Sequence, residues 1–312
     1  MGNSSIKAFA PATVANVACG FDVLGFAING IGDEILVRKT GDSKGLRITQ
    51  ITGDKGKLPL DVERNTAGVA ALRLLEFVGL ADMGIEMQIR KKMPFGSGLG
   101  SSAASAVAGA FIVNQLLDNP LPKRELLPFA GMGEAVASGG LHLDNVAPSM
   151  LGGFIFCRDS QTTDVHRLYA PNGLFATVIY PHVQILTKDA RAILKPDVSL
   201  KNAIQQNANL GGLIIGLFNN DLELISRSLH DVLIEPQRAA LIPHFHEVKE
   251  AAINSGVLGC SISGAGPSIF ALSKNSAIAE NAAQAMQAIF TQNKIKSTIY
   301  VSAINNEGAV IC

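Results

Sequence analysis

Apolar and polar residues alternate at Ile85, Met87 and Ile89, the period of two expected of a half-buried strand. The next apolar stretch, residues 103–117, is instead dense in Ala and Val, with Phe111 and Leu117 adding bulk, as a helix packed closely on a sheet would be. The same reading along the chain predicts strands at 6–10, 23–28, 34–39 and 46–51, a loop over 11–22 and a turn-rich connection over 40–45. Residues 65–79 carry a helical period through Val69, Leu72, Leu75 and Phe77, with Asn65 or Thr66 as cap and Gly79 as stop, so four strands precede the first long helix. Pro122 opens another helix through Leu126, Ala130 and Glu134, ended by Gly139 and Gly140, and a strand over 152–157 closes the first half. The polar segment 158–164 divides the chain into domains of residues 1–158 and 159–312. Beyond it the pattern predicts a strand at 175–180, several helices between 189 and 254, strands at 258–263 and 268–272, a helix at 276–291 and a strand at 297–303. That order suits helices on one face of a largely antiparallel sheet, an α+β arrangement.

Composition narrows the partners. In 312 residues, 47% are apolar and 17% charged, which describes a compact chain with ample core, and no apolar run approaches the roughly 18 residues that span a bilayer. The 26 basic residues equal the 26 acidic ones, so no global field is available to hold a nucleic acid or an anionic membrane surface. Cys19, Cys157, Cys260 and Cys312 form no Cys-x-x-Cys pair, which argues against a zinc site and a disulfide framework and for a reducing, cytoplasmic setting. A small-molecule partner is expected, and a homodimer is left open.

The chemistry concentrates between the strand at 85–89 and the Ala-rich helix. There Pro94, Phe95, Gly96, Ser97, Gly98, Leu99, Gly100, Ser101, Ser102, Ala103 and Ala104 pack three alternate glycines and two adjacent hydroxyls into one turn. Glycines let backbone N–H groups face an anion, and a helix starting at Ser101 adds positive potential at its N-terminus, so a polyphosphate is the natural guest. A third glycine at position 101 would complete a dinucleotide fingerprint, but Ser101 stands there, and no Gly-Lys-Ser/Thr of a Walker loop follows.

The stretch resembles the Pro-x-x-x-Gly-Leu-Gly-Ser-Ser-Ala-Ala signature of the GHMP kinases, the superfamily named for galactokinase, homoserine kinase, mevalonate kinase and phosphomevalonate kinase. Residues 11–22 resemble the first motif of the homoserine kinases within it, residues 140–148 with Glu134, 189–194 and 235–238 are similar to their pattern, and Gly264, Ala265 and Gly266 resemble the third GHMP motif, although these three could equally form an ordinary hairpin turn. The resemblance implies a two-domain fold whose N-terminal domain contains a left-handed β-α-β crossover and whose C-terminal domain is ferredoxin-like. It implies transfer of the ATP γ-phosphoryl group to the side-chain hydroxyl of L-homoserine, with Mg2+, in threonine biosynthesis.

By the same resemblance, the 94–104 loop with Asn65 and Thr66 binds the nucleotide, Ser102 and Glu134 hold the metal, and Asn16, Asp22, Asn145, Arg191 and Arg238 bind substrate. Asn65 also reads as a simple helix cap, and the two roles are compatible. A zwitterionic amino acid independently needs a carboxylate for its ammonium, which Asp22 can supply, and a cation for its carboxylate, for which an arginine fork is best suited. The catalytic set is Asn145, His142, Ser102 and Glu134. Asn145 stands where mevalonate kinases place an aspartate and cannot act as a base, so positioning of the hydroxyl, with no strong general base, is expected. If 142–145 is helical, His142 shares the face of Asn145 and Asp144 points elsewhere.

Overall fold

The computed structural model describes residues 5–41 and 44–312; the turn expected over 40–45 includes Asp42 and Ser43, which lie outside them. In chain order the elements are β1 (Ile6–Ala15), β2 (Leu24–Lys39), β3 (Leu46–Thr52), α1 (Thr66–Phe77), β4 (Ile85–Arg90), α2 (Ser101–Asn114), α3 (Leu127–Ser138), α4 (Leu143–Leu151), β5 (Phe154–Asp159) and β6 (Asp164–Leu168). Then follow β7 (Phe175–Pro181), α5 (Thr187–Ala192), α6 (Leu200–Asn219), α7 (Leu222–Ser228), α8 (Glu235–Arg238), α9 (Phe245–Asn254), β8 (Gly259–Ile262), β9 (Ile269–Ser273), α10 (Ser276–Gln292), β10 (Ser297–Ala303) and β11 (Val310–Ile311).

Two sheets result. The first runs β11-β1-β2-β4-β3, with β5 on β2 and β6 on β5. Its one parallel pairing, β3 on β4, is bridged by α1, the β-α-β unit to which the crossover expectation refers. Its core holds α2, every residue of which from Ala103 to Asn114 is buried, so the small side chains read as helix-on-sheet packing were of the right kind. The second sheet runs β10-β7-β9-β8, all antiparallel, the 4-1-3-2 order of a ferredoxin-like β-α-β-β-α-β unit. Strands β7 and β9 are buried on both faces: Ala176, Val178, Phe270 and Leu272 join the first core, while Ile179, Ile269 and Ala271 pack with Val248, Met286 and Phe290 of α9 and α10. Phe26 sits between the sheets, with ring centroids 4.6 Å from Phe154 and 6.0 Å from Phe270.

Several expectations are corrected. The 11–22 segment is not all loop, because β1 continues to Ala15 across a bulge between Pro11 and Thr13. The two strands expected at 23–28 and 34–39 are one, β2, which changes partners along its length: β5 pairs with its start and β4 with its end, so three strands and not four precede α1. Helix α4, with Pro148 inside it, and the short strands β6 and β11 were not foreseen. The 158/159 division falls within β5, whose hairpin with β6 keeps the first sheet going to Leu168, and β11 returns the chain's last strand to β1.

Candidate active site

The glycine loop is shaped by close approach. Gly96, Gly98 and Gly100 take φ values of +59°, +76° and +68°. A Cβ on Gly98 would lie 2.4 Å from the Ser263 carbonyl oxygen, and one on Gly100 would lie 2.1 Å from Thr13 Oγ1, so only glycine fits at either position. Gly100 also caps α2 from a left-handed conformation without a side chain, leaving the positive end of a 14-residue helix at the rim of a cavity of about 380 Å3. Beneath the loop lies a device that sequence reasoning missed. Lys91 Nζ pairs with buried Asp33 and donates to the Ser101 carbonyl at 2.8 Å and to Ser105 Oγ at 2.7 Å. Asp33 Oδ1 accepts from the backbone N–H of Lys92 at 2.9 Å and of Met93 at 3.3 Å.

A seam of hydrogen bonds to backbone carbonyls ties the loop to the second half of the chain. Ser263 Oγ donates to the Gly98 carbonyl at 2.7 Å and Ser268 N donates to the Ser97 carbonyl at 3.2 Å. Gly264 N donates to the Ala15 carbonyl at 3.1 Å, and Asn16 Nδ2 donates to the Gly264 carbonyl at 2.7 Å. Asn16, Val17 and Ala18 take consecutive positive φ values of 70°, 40° and 59°, an outlier for a β-branched residue that the burial of Val17 holds in place. Asn16 Oδ1 then accepts from Asp22 N at 3.1 Å, setting the direction of the Asp22 side chain.

Asp22 meets Arg191 through two parallel bonds of 2.9 Å each, from Nη1 and Nη2. Arg238 is 2% exposed, donates from Nε to the Ala190 carbonyl at 3.0 Å and from Nη1 to the Gly264 carbonyl at 3.2 Å, and stacks with Arg191 against the Phe21 ring. Burial first, and the neighbouring Arg191 guanidinium second, lower its pKa, an imbalance that an anion between the two would relieve. His142 Nδ1 lies 3.9 Å from Asp22 Oδ2, and burial outweighs that carboxylate to hold the imidazole below its ordinary range.

His142, Asp144 and Asn145 all line the cavity. The expectation that Asp144 points elsewhere is therefore corrected: α4 starts at Leu143, His142 is its N-cap, and the opening turn of the helix points end-on into the cavity, so residues around its axis reach the same space. Thr13 Oγ1 donates to Asn145 Oδ1 at 2.7 Å and fixes that amide.

Ser102 Oγ donates to Glu134 Oε1 at 2.8 Å. Glu134 Oε2 and Asp144 Oδ1 are buried without a hydrogen-bond partner. Burial pushes the Glu134 carboxyl up to about 7 against the Ser102 bond, and burial together with the Asp22 charge pushes Asp144 up to about 7. Oxygen donors only, with orphaned carboxylate atoms, suit a hard cation such as Mg2+; among the described residues no group of three His, Cys, Asp or Glu side chains is set to hold one alone, so substrate phosphates would complete the shell.

Of the other sequence candidates, Thr66, Phe95, Gly96, Ser97, Gly98, Gly100, Ser101, Gly264 and Ala265 line the same cavity. Pro94, Leu99, Ala103, Ala104 and Gly266 do not, and the side chains of Leu99, Ala103 and Ala104 are core. Asn65 is 3% exposed and spends its amide as a cap, accepting from Ala67 N and Gly68 N and donating to the Pro59 carbonyl. Thr187 and Lys188 of α5 join the lining, unforeseen because their neighbours carry no loop signature.

Residues 65–153 match the GHMP kinases N terminal domain and residues 213–292 the GHMP kinases C terminal domain. A homoserine kinase of Chlorobium phaeovibrioides is 47% identical, with 98% of this chain and 99% of the relative covered, and one of Xylella fastidiosa is 42% identical, with 97% and 92% covered. The crystal structure of homoserine kinase from Cytophaga hutchinsonii superposes with a TM-score of 0.97 at 53% identity, covering 100% of this chain and 98% of that one. With identity of this depth across both domains and the glycine loop, Ser102–Glu134 pair and Asp22–Arg191 clamp gathered round one cavity, the chain belongs to the homoserine kinases of the GHMP kinase superfamily.

Proposed function

We propose that this enzyme transfers the γ-phosphoryl group of ATP to the side-chain hydroxyl of L-homoserine, giving O-phospho-L-homoserine and ADP, as a cytoplasmic step of threonine biosynthesis. The observation that carries the reading is that the two charges a zwitterion needs, Asp22 and the Arg191 and Arg238 guanidiniums, stand on the same 380 Å3 cavity as the phosphate loop, a space of about the size usual for small ligands. Homoserine's ammonium goes to Asp22 and its carboxylate to the arginines, Arg238 keeping three of its five N–H donors for the task. Asn145, oriented by Thr13, aligns the hydroxyl. The loop N–H groups and the α2 N-terminus hold the triphosphate with Thr66 toward the nucleoside, and Ser102 and Glu134, with Asp144 beside them, would hold Mg2+, which supplies neutralisation of phosphate charge when bound. A loose phosphoryl-transfer transition state asks little of a base, so the hydroxyl proton departs late, onto the transferring phosphoryl oxygens.

Coupled measurement of ADP release should require L-homoserine, with mevalonate and galactose inactive; comparable turnover of mevalonate overturns the assignment. Arg191→Ala should raise KM for homoserine well above its effect on KM for ATP, since breaking one partner of a desolvated pair costs about 2–5 kcal/mol.

A further inference from the structure

The two charges of the proposed clamp ride on separate pieces of chain. Phe21 and Asp22 belong to the turn over 16–22 that follows β1, whereas Arg238 ends α8 in the second half. At the cavity the two pieces share the Gly264 carbonyl, which accepts from Asn16 Nδ2 and from Arg238 Nη1. A second junction, outside the cavity lining, is made by Gln206 of α6. Gln206 is 7% exposed; its Nε2 donates to the Cys19 carbonyl at 3.2 Å and to Asp231 Oδ1 at 2.9 Å, and its Oε1 accepts from Val232 N at 2.9 Å. Asp231, also buried, accepts from the N–H groups of Leu233, Ile234 and Glu235 at 2.9, 3.0 and 2.8 Å, so the chain entering α8 is wound on the carboxylate that Gln206 holds. Cys19 Sγ adds a bond of 3.3 Å to the Ser228 carbonyl, from the same turn to the same segment.

We propose that Gln206 is a positioning residue for the amino-acid substrate: from outside the cavity it sets the separation between the Asp22 carboxylate and the Arg238 guanidinium, and so selects ligands that carry both charges on one carbon. The inference rests on the reading of Asp22 and Arg238 as partners of the ammonium and the carboxylate. A residue that only filled the core would be better apolar, because burying an amide costs stability unless each of its bonds is made. What the amide adds is a fixed direction to two partners at once, and the side-chain bonds of Gln206 all leave its own helix for the two pieces that carry the clamp. The separation is held closely, with Arg238 Cζ 5.0 Å from the Phe21 ring centroid. Charges held in place before the ligand arrives spare binding the loss of their freedom. A ligand with one charge uses one partner and is indifferent to the separation; only a zwitterion reads it.

Steady-state kinetics of Gln206→Met test this, since methionine keeps the length of the side chain and loses its three bonds. KM for L-homoserine should rise about tenfold, while KM for ATP and kcat at saturating homoserine stay within about twofold. Inhibition constants should also hold for 4-hydroxybutyrate, which has the carboxylate and hydroxyl without the ammonium, and for 3-aminopropan-1-ol, which has the ammonium and hydroxyl without the carboxylate. Thr177→Val removes an equally buried bond, from Thr177 Oγ1 to the Ala279 carbonyl at 2.7 Å, between residues that do not line the cavity. It should lower the melting temperature and leave every one of these constants unchanged. If Gln206→Met does not fold, the Cys19 tie decides: Cys19→Ala should raise KM for homoserine alone by about threefold, and Cys19→Ser, which keeps a donor for the Ser228 carbonyl, should restore it. An unchanged KM for homoserine in Gln206→Met, equal losses for homoserine and both analogues, or, where the Cys19 tie decides, equal constants for Cys19→Ala and the wild type overturns the proposal. A wild type that takes either analogue as tightly as homoserine overturns the clamp reading, and the proposal with it.

Discussion

His142 and Asn145 stand three residues apart at the same cavity, yet their surroundings assign them different work. Asn145 is held by Thr13 and on the proposed reading faces the acceptor, whereas burial holds the His142 imidazole below its ordinary range, 3.9 Å from Asp22. Asn145→Ala should therefore lower kcat more than His142→Ala, and any acid limb of the wild-type rate, as the buried Glu134 and Asp144 carboxyls would give near pH 7, should persist in the His142 variant. The reverse order, with an acid limb that vanishes in the His142 variant, would make His142 a general base. The buried carboxyls give a second expectation. Glu134 and Asp144 keep their protons in the folded protein to about pH 7, against ordinary values of 4.5 and 3.8, so the folded state binds the extra protons between those limits and stability falls as pH rises through them. The nucleotide-free protein should melt at a higher temperature at about pH 5.5 than at about pH 7.5, a difference on the order of a few kcal/mol at most, and Glu134→Gln should flatten the slope. Glu34, which Lys92 holds below its ordinary range, acts in the opposite direction only at lower pH, and His142, which burial holds below its own, opposes the slope within this range as one group against two. An equal slope in the Gln variant would place Glu134 in contact with water.

At the scale of elements, β2 is the member whose failure would be felt at the nucleotide. Its Asp33 grips the two N–H groups leading into the glycine loop and the Lys91 ammonium, which in turn grips the first carbonyl of α2. Asp33→Asn should cost about 3–5 kcal/mol in denaturant unfolding, because it strands a buried ammonium, and should raise KM for ATP more than KM for homoserine. Lys91→Met added to Asp33→Asn should recover much of the stability but not the ATP affinity; an unchanged midpoint in the single variant would mean the pair contributes nothing. No period in the sequence announces this pair, since its members lie 58 residues apart on elements that look ordinary. The glycine loop was legible because its glycines answer a local geometric demand, as were α1, α2 and α10 through their apolar spacing. Helix α4 was not, being nine residues with Pro148 in the middle, nor β11, two residues whose existence depends wholly on β1. The single strand β2 was read as two because the residues near Gly30, at φ +83°, break the alternation where the strand changes partners.

For the molecule as a whole, the chain leaves the first sheet only after Leu168, not at the 158/159 division read from the sequence, and residues of both halves line the one cavity. The second sheet presents one face to the first core, and Gly98, Ser97, Ala15 and Asn16 of the first half are hydrogen-bonded to residues 263–268 of the second. These contacts are long-range in sequence, so the pattern of apolar positions could supply each sheet but not their junction. Because the seam joins the glycine loop to the turn that Arg238 also grips, the span between the proposed head-group clamp and the proposed phosphoryl position is set by hydrogen bonds to main-chain carbonyls. The cavity is thereby a gauge for side-chain length. L-Serine offers the same ammonium and carboxylate with a hydroxyl one methylene nearer its α-carbon, and a displacement of about 1 Å from a near-attack position costs on the order of 100-fold. Serine should thus compete with homoserine for the clamp yet be phosphorylated at least about 100-fold more slowly, read as inhibition of homoserine turnover beside its own ADP release. Turnover of the two at similar rates would mean that the seam yields, and that length is measured elsewhere.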